Sequence, residues 1–198
     1  SFLCMRSDFD GFVLAAVLAL SMVACGGSDE EKSTIEKIKE QGFITMATSP
    51  DFAPSEFKDP ISGEIMGTDI IYGEYVAKYL SDKLGTPIEL KIKEMDFSSC
   101  QAAVSTNSVN FSLSGYAETP ERAQNYNCVG PYATISSDED TYHGALVKKG
   151  LVIEKAEDFA GLKVGVQPAS LQYNLLQDQL DVDSLAEVMF VDNLSTAA

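Results

Sequence analysis

From residue 34 to residue 113 the apolar positions switch repeatedly between a helical and an extended period. Thr34 opens a short polar segment with Ile35 and Ile38 three apart and Gly42 behind them. This predicts a capped helix with both isoleucines turned inward. Residues 43–47 read as a buried strand, and a loop with two prolines, Pro50 and Pro54, covers 48–58. Asp59-Pro60 and Ser62-Gly63 mark a turn between short strands. A helix opens at Thr68 or Asp69, carries Ile71, Tyr75, Val76, Tyr79 and Leu80 on one face, and stops at Gly85 and Pro87. Residues 89–93 alternate as a strand, 98–106 form a helix of small residues, and 109–113 form another strand. The order β-α-β-α-β predicts a parallel sheet with crossover helices.

After Tyr132 the pattern breaks at an acidic stretch, residues 136–140, and then restarts. Residues 143–148 and 162–167 read as strands, 170–180 as a helix and 187–191 as a strand. Two α/β units joined by a crossing segment describe a hinged, two-lobed molecule. The expected divisions are a first lobe over 35–135, a hinge over 136–142 and part of a second lobe over 143–198.

Ahead of these units, residues 11–24 form an apolar run of signal-peptide length, too short to span a bilayer comfortably. It ends in Met22-Val23-Ala24-Cys25, followed by Gly26-Gly27-Ser28. This resembles a bacterial lipobox, which implies that residues 1–24 are removed and that Cys25 is acylated at the head of a polar tether, 25–34. Cys100 and Cys128 would then remain, either bridged, as an exported chain allows, or as two small buried thiols.

A net charge of -16 repels phosphate and argues against nucleic acid as a partner. The sequence has no phosphate-cradling glycine loop, no GxSxG elbow and no CxxC, and His143 is the only histidine. We therefore expect neither metal nor cofactor, and no catalytic residue.

Three stretches carry specific chemistry. They are Thr48-Ser49-Pro50-Asp51-Phe52-Ala53-Pro54-Ser55-Glu56-Phe57, then Met95-Asp96-Phe97-Ser98, then Ser114-Gly115-Tyr116-Ala117-Glu118-Thr119-Pro120-Glu121-Arg122. Their order and spacing resemble the polar amino acid-binding proteins of ABC importers, the family 3 extracellular solute-binding proteins. Lys163-Val164-Gly165-Val166-Gln167-Pro168-Ala169-Ser170 extends the match into the second lobe. The resemblance implies an α/β, type II periplasmic-binding-protein-like fold. It also implies a free amino acid as ligand, a membrane permease as partner, a monomeric state and a lipid-anchored, extracytoplasmic location.

Arg122 suits the ligand's carboxylate because a guanidinium offers a planar fork of donors that Lys lacks; taken alone it would read as a surface ion pair. Gly115, at a strand end beside Ser114, lets backbone N–H groups approach a ligand closely. By resemblance Phe52 and Phe97 are aromatic walls, and Tyr116 and Gln167 stand at ligand-contact positions. Ala117 offers its backbone N–H where relatives place a hydroxyl. Ser170 opens a helix as an anion site or as a plain cap. Ser49 stands where many relatives carry Asp. The family's amine-binding Asp is expected beyond residue 198, so the second lobe is expected to be truncated. Two other roles use the same fold: a dehydratase-type enzyme and the sensor module of a signalling protein.

Overall fold

The computed structural model describes residues 3–5, 32–133 and 143–196. The apolar run over 11–24, Cys25 and the expected hinge over 136–142 lie outside them. No helix among the described residues is long and apolar enough to cross a membrane.

The main sheet has the order β6-β2-β7-β1-β8, built from Glu89–Glu94, Phe43–Thr48, Phe111–Ser112, Leu3–Met5 and Asn127–Val129. β2 runs parallel to both β6 and β7, with Met46 opposite Ile92 on one side and Phe111 on the other. This is the crossover arrangement expected from the β-α-β-α-β order. Helix α1 (Thr34–Gln41) leads into β2 through Gly42, and α2 (Thr68–Leu84) and α3 (Phe97–Ser105) make the two crossovers. A small antiparallel sheet, β3 (Asp51–Phe52), β4 (Glu56–Lys58) and β5 (Ile65–Met66), is inserted between β2 and α2.

Two expectations about helix faces are corrected. The N-cap of α1 is Ser33, which forms a capping box with Glu36, and Ile38 is buried while Ile35 is 47% exposed. On α2 the buried residues are Asp69, Ile70, Gly73 and Ala77, with Val76, Leu80 and Leu84 packed beside them; Ile71, Tyr75 and Tyr79 face solvent. Gly73 selects that face. A Cβ there would stand 2.7 Å from the Met46 sulfur and 3.0 Å from Leu90 Cδ2, so only glycine lets α2 lie this close to the sheet. A glycine adds nothing to a hydrophobic pattern, so periodicity alone favours the tyrosine stripe.

Strand β1 is a second departure. Residues 3–5 belong to the stretch read as a cleaved leader, yet they pair antiparallel with both β7 and β8. The backbone groups on the facing edges of β7 and β8 need a partner, and an extended segment between them satisfies both.

Two apolar clusters flank the sheet. Ile38, Ile44, Met46, Ile70, Ala77, Ile88, Phe111 and Leu113 form the larger, on the α1–α2 side. Ala47, Cys100, Ala103, Val104, Val109 and Tyr116 form the smaller, under α3, with Cys128 packed against it. Cys100 and Cys128 are free thiols here, so the bridge is not made. Cys100 is fully buried, and its sulfur already has the Ser112 and Tyr116 hydroxyls for neighbours.

Beyond the hinge, β9 (Lys163–Val166) and β10 (Glu187–Phe190) pair in parallel through the crossover helix α5 (Leu171–Gln179), as expected. The strand expected over 143–148 is not formed. That segment is irregular and exposed.

Candidate functional site

β2 ends at Thr48 and β7 at Ser112, side by side in the sheet, so the loops that follow them meet. Ser49 N–H donates to Ser114 Oγ at 3.0 Å, and the Ser114 hydroxyl donates to Glu56 Oε1 at 2.9 Å. Gly115 turns the chain with φ +55°, and its N–H donates to Asp69 Oδ2 at 3.0 Å. The Phe52 ring lies against this glycine; a Cβ would meet Phe52 Cδ1 at 3.1 Å. Phe52 is 48% exposed, an apolar wall open on one side. Ser49, Phe52, Ser114 and Gly115 therefore come together.

Helix α4 (Pro120–Asn125) starts at Thr119, whose hydroxyl accepts from Arg122 N–H at 3.1 Å, with Pro120 at the favoured first position. This cap aims the Arg122 side chain inward, and it is only 6% exposed. Its Nη1 donates to Ala117 O at 2.7 Å, its Nη2 to Ala169 O at 2.8 Å and its Nε to Gln101 Oε1 at 3.3 Å. The guanidinium lies 5.5 Å from the Phe97 ring centre and 5.2 Å from that of Tyr116. Those rings are 5.1 Å apart, a packed aromatic pair beneath a cation. The acceptors of its three side-chain hydrogen bonds among the described residues are neutral oxygens, and the planar fork of a guanidinium suits an anion brought to it.

Ala169 brings the second lobe to this point. It takes the left-handed conformation, φ 57°, directly before α5. Gln167 makes another crossing: its Nε2 donates to Asp51 Oδ2 at 3.0 Å, and Leu194 N–H donates to the same oxygen at 2.7 Å. The Ser49 hydroxyl donates to Asp51 Oδ1 at 3.2 Å. Asp51 is thus a residue that motif reading passed over. It stands two positions after Ser49, and its carboxylate reaches the second lobe. Its only signal in the sequence is a lone Asp between Pro50 and Phe52.

Three expected site residues have other duties in this structure. Tyr116 is 1% exposed, belongs to the smaller apolar cluster and shares a 2.9 Å hydrogen bond with Ser112, so it backs the site from within the core. Ala117 contributes its carbonyl to Arg122. Ser170 is the plain cap of α5: its hydroxyl donates to Gln167 O at 2.7 Å and accepts from Tyr173 N–H at 3.0 Å. A cavity of about 410 Å³ opens beside Arg122, between Gln101 and Ser98 on α3, Asn125 on α4, and Ala169 and Asn174 of the second lobe. Phe52, Ser114 and Gly115 do not line it.

The electrostatics are uneven. Glu56 and Asp69, each 1% exposed, lie side by side beneath the Ser114-Gly115 turn. Burial, and then the neighbouring Asp69 charge, pushes the Glu56 carboxyl up to about 9. Burial likewise pushes the Cys100 thiol up to about 12, which leaves it unreactive as a nucleophile. Among the described residues no cluster of His, Cys, Asp or Glu has the arrangement of a metal centre.

Known proteins share this design. The arginine-binding extracellular protein ArtP of Bacillus subtilis is 31% identical over 160 residues, 81% of this chain and 55% of its own length. The chain thus spans about half of that relative. A mutant of ArgBP from T. maritima superposes with a TM-score of 0.64 at 26% identity, over 82% of this chain and 65% of that one. The amino acid ABC transporter substrate-binding protein AbpA of Streptococcus pneumoniae, solved with L-arginine, gives 0.57 at 30% identity, over 81% and 65%. The sequence pattern of the bacterial extracellular solute-binding proteins, family 3, matches residues 44–145. With that match over more than half its length, and with the fold of these relatives, the chain belongs to the bacterial extracellular solute-binding proteins, family 3.

Proposed function

We propose that this chain captures a free amino acid between its two lobes and presents it to an ABC importer, from an extracytoplasmic position held by acylated Cys25. One observation carries the reading: a buried guanidinium, Arg122, at the seam where Ala169 of the second lobe meets the first. Arg122 donates to the backbone carbonyls of Ala117 and Ala169. A ligand carboxylate would replace the Ala169 carbonyl, exchanging a neutral acceptor for a charged one, and bonds of that kind are shorter and stronger. The Ser114 hydroxyl and the turn at Gly115 border the carboxylate, and Phe52 covers the stem of the ligand. Contacts from both lobes favour the closed arrangement over the open one, so binding is a population shift, which is what a permease can read.

Asp51 supports an amino acid with a cationic side chain. Its carboxylate lies at the lobe seam, held by the Ser49 hydroxyl and by Gln167. It can replace the Asp that Ser49 lacks, and the relatives named above for arginine agree.

The test is calorimetry of the chain, extended to the full length of its relatives, against arginine, lysine, histidine, glutamine and glutamate. Arginine or lysine is expected to bind and glutamate not to. Charge-assisted hydrogen bonds contribute roughly 1.5–3 kcal/mol each, so Arg122→Ala should weaken binding at least tenfold and Arg122→Lys should recover part of it. Binding unchanged in Arg122→Ala would remove the carboxylate assignment.

A further inference from the structure

Beneath the Ser114-Gly115 turn lie two carboxyl groups, one from strand β4 and one from helix α2, and among the described residues no salt bridge reaches either. We propose that Glu56 on β4 and Asp69 on α2 hold one proton between them and act as positioning residues. Together they fix the Ser114 hydroxyl and the Gly115 N–H that border the site. The proposal rests on the reading of that site given above.

The hydrogen bonds divide cleanly. Glu56 Oε1 accepts from the Ser114 hydroxyl, and Asp69 Oδ2 accepts from Gly115 N–H and from the Tyr132 hydroxyl at 3.0 Å. The remaining oxygens, Glu56 Oε2 and Asp69 Oδ1, are buried and have no other partner. The two side chains are nevertheless within hydrogen-bonding reach of each other. Two bare carboxylates in contact, both out of water, repel each other and leave lone pairs unsatisfied. A single proton between Oε2 and Oδ1 removes both costs at once. It also leaves Oε1 and Oδ2 facing the turn, each with a donor.

The surroundings keep the proton in place. Asp51 on β3 adds a further negative charge, and Tyr132 after β8 donates to Asp69. No ion pair among the described residues reaches either carboxyl. The Glu56 carboxyl, raised to about 9 from its ordinary 4.5, is protonated at neutral pH. A folded value above the unfolded one means that the native state binds the extra proton. The stability it contributes is complete below about 4.5 and is lost as the pH rises through about 9. Loss of the proton would drive β4 and α2 apart and so pull the partners of Ser114 and Gly115 in different directions.

The test uses the chain labelled for carboxyl and amide NMR, with Glu56→Gln as the variant that keeps a donor but cannot titrate. In the parent one buried Glu carboxyl should remain protonated at about pH 7, and the Gly115 amide resonance should move as that group titrates. Melting temperature should fall between about pH 6 and pH 9, and most of that slope should vanish in Glu56→Gln. Where arginine binds, its affinity should drop roughly threefold to tenfold over the same window in the parent and stay flat in Glu56→Gln. A fully ionised Glu56 at pH 7 overturns the shared proton. A protonated Glu56 with a Gly115 resonance that ignores its titration overturns the positioning role. Absence of amino acid binding at every pH would remove the functional reading instead, while the carboxyl and Gly115 resonances still decide the pair. Asp69→Asn, which keeps the acceptor for Gly115, is expected to lower the Glu56 titration, and it provides a second variant should Glu56→Gln fail to fold.

Discussion

At Gly115 the backbone turns with φ +55° while the Phe52 ring rests on the space where a side chain would begin. Both facts act on the same substitution. Gly115→Ala must adopt a left-handed conformation at roughly 1–2 kcal/mol and also push the ring away. The expected result is an unfolding free energy lowered by about that amount, read as a lower urea midpoint at unchanged slope, with weakened ligand binding. An unchanged midpoint would mean that the turn relaxes freely. Arg122 shows the same dependence on neighbours. Its residue type suggested an anion site, but its burial depends on the Thr119 cap and on the aromatic pair beneath it.

Among the elements, β1 decides how the main sheet is completed. Among the described residues β8 pairs with no strand except β1, and β7 has β1 on its outer side. β2 and β6 make their own ladder of six residue pairs and do not depend on it. Deleting residues 1–24 should therefore speed amide hydrogen exchange at Val129 and Asn127 while leaving Ile44, Met46 and Ile92 protected. Equal protection in both forms would show that another segment fills the gap. Helix α2 carries a second lesson at this scale. Its buried face includes Gly73 and Asp69, one with no side chain and one charged, so its most informative positions are those a hydrophobic pattern ignores.

At the scale of the whole molecule, polar contacts join the two lobes among the described residues, Arg122 and Gln101 to Ala169 and Asp51 to Gln167 and Leu194. Polar contacts of this kind can break and reform, as the proposed capture of a ligand between the lobes requires. The attachment of the whole to a membrane is a separate proposal and rests on Cys25. Cys25→Ser is expected to move the protein from the membrane to the soluble fraction, followed by fractionation and immunoblotting. Retention in the membrane would end the lipid-anchor reading.

The alternation of helical and extended periods determined the crossover order, because residues 43–47 and 89–93 bury side chains as strands only with a helix packed over them. The Ser114 to Arg122 stretch carried the family's chemistry, because a strand-end glycine and a capped arginine are local features with local signatures. Tertiary structure alone decided that α2 turns Gly73 inward, that the strand read over 143–148 is absent, and that Cys100 and Cys128 stay unbridged. It also brought Asp51 to the second lobe and set Glu56 against Asp69, residues thirteen positions apart with nothing in the intervening pattern to link them. The physical reason is common to all of these. Periodicity and caps act over a few residues, whereas close approach, desolvation and carboxyl pairing exist only once distant segments are packed together and water has been excluded.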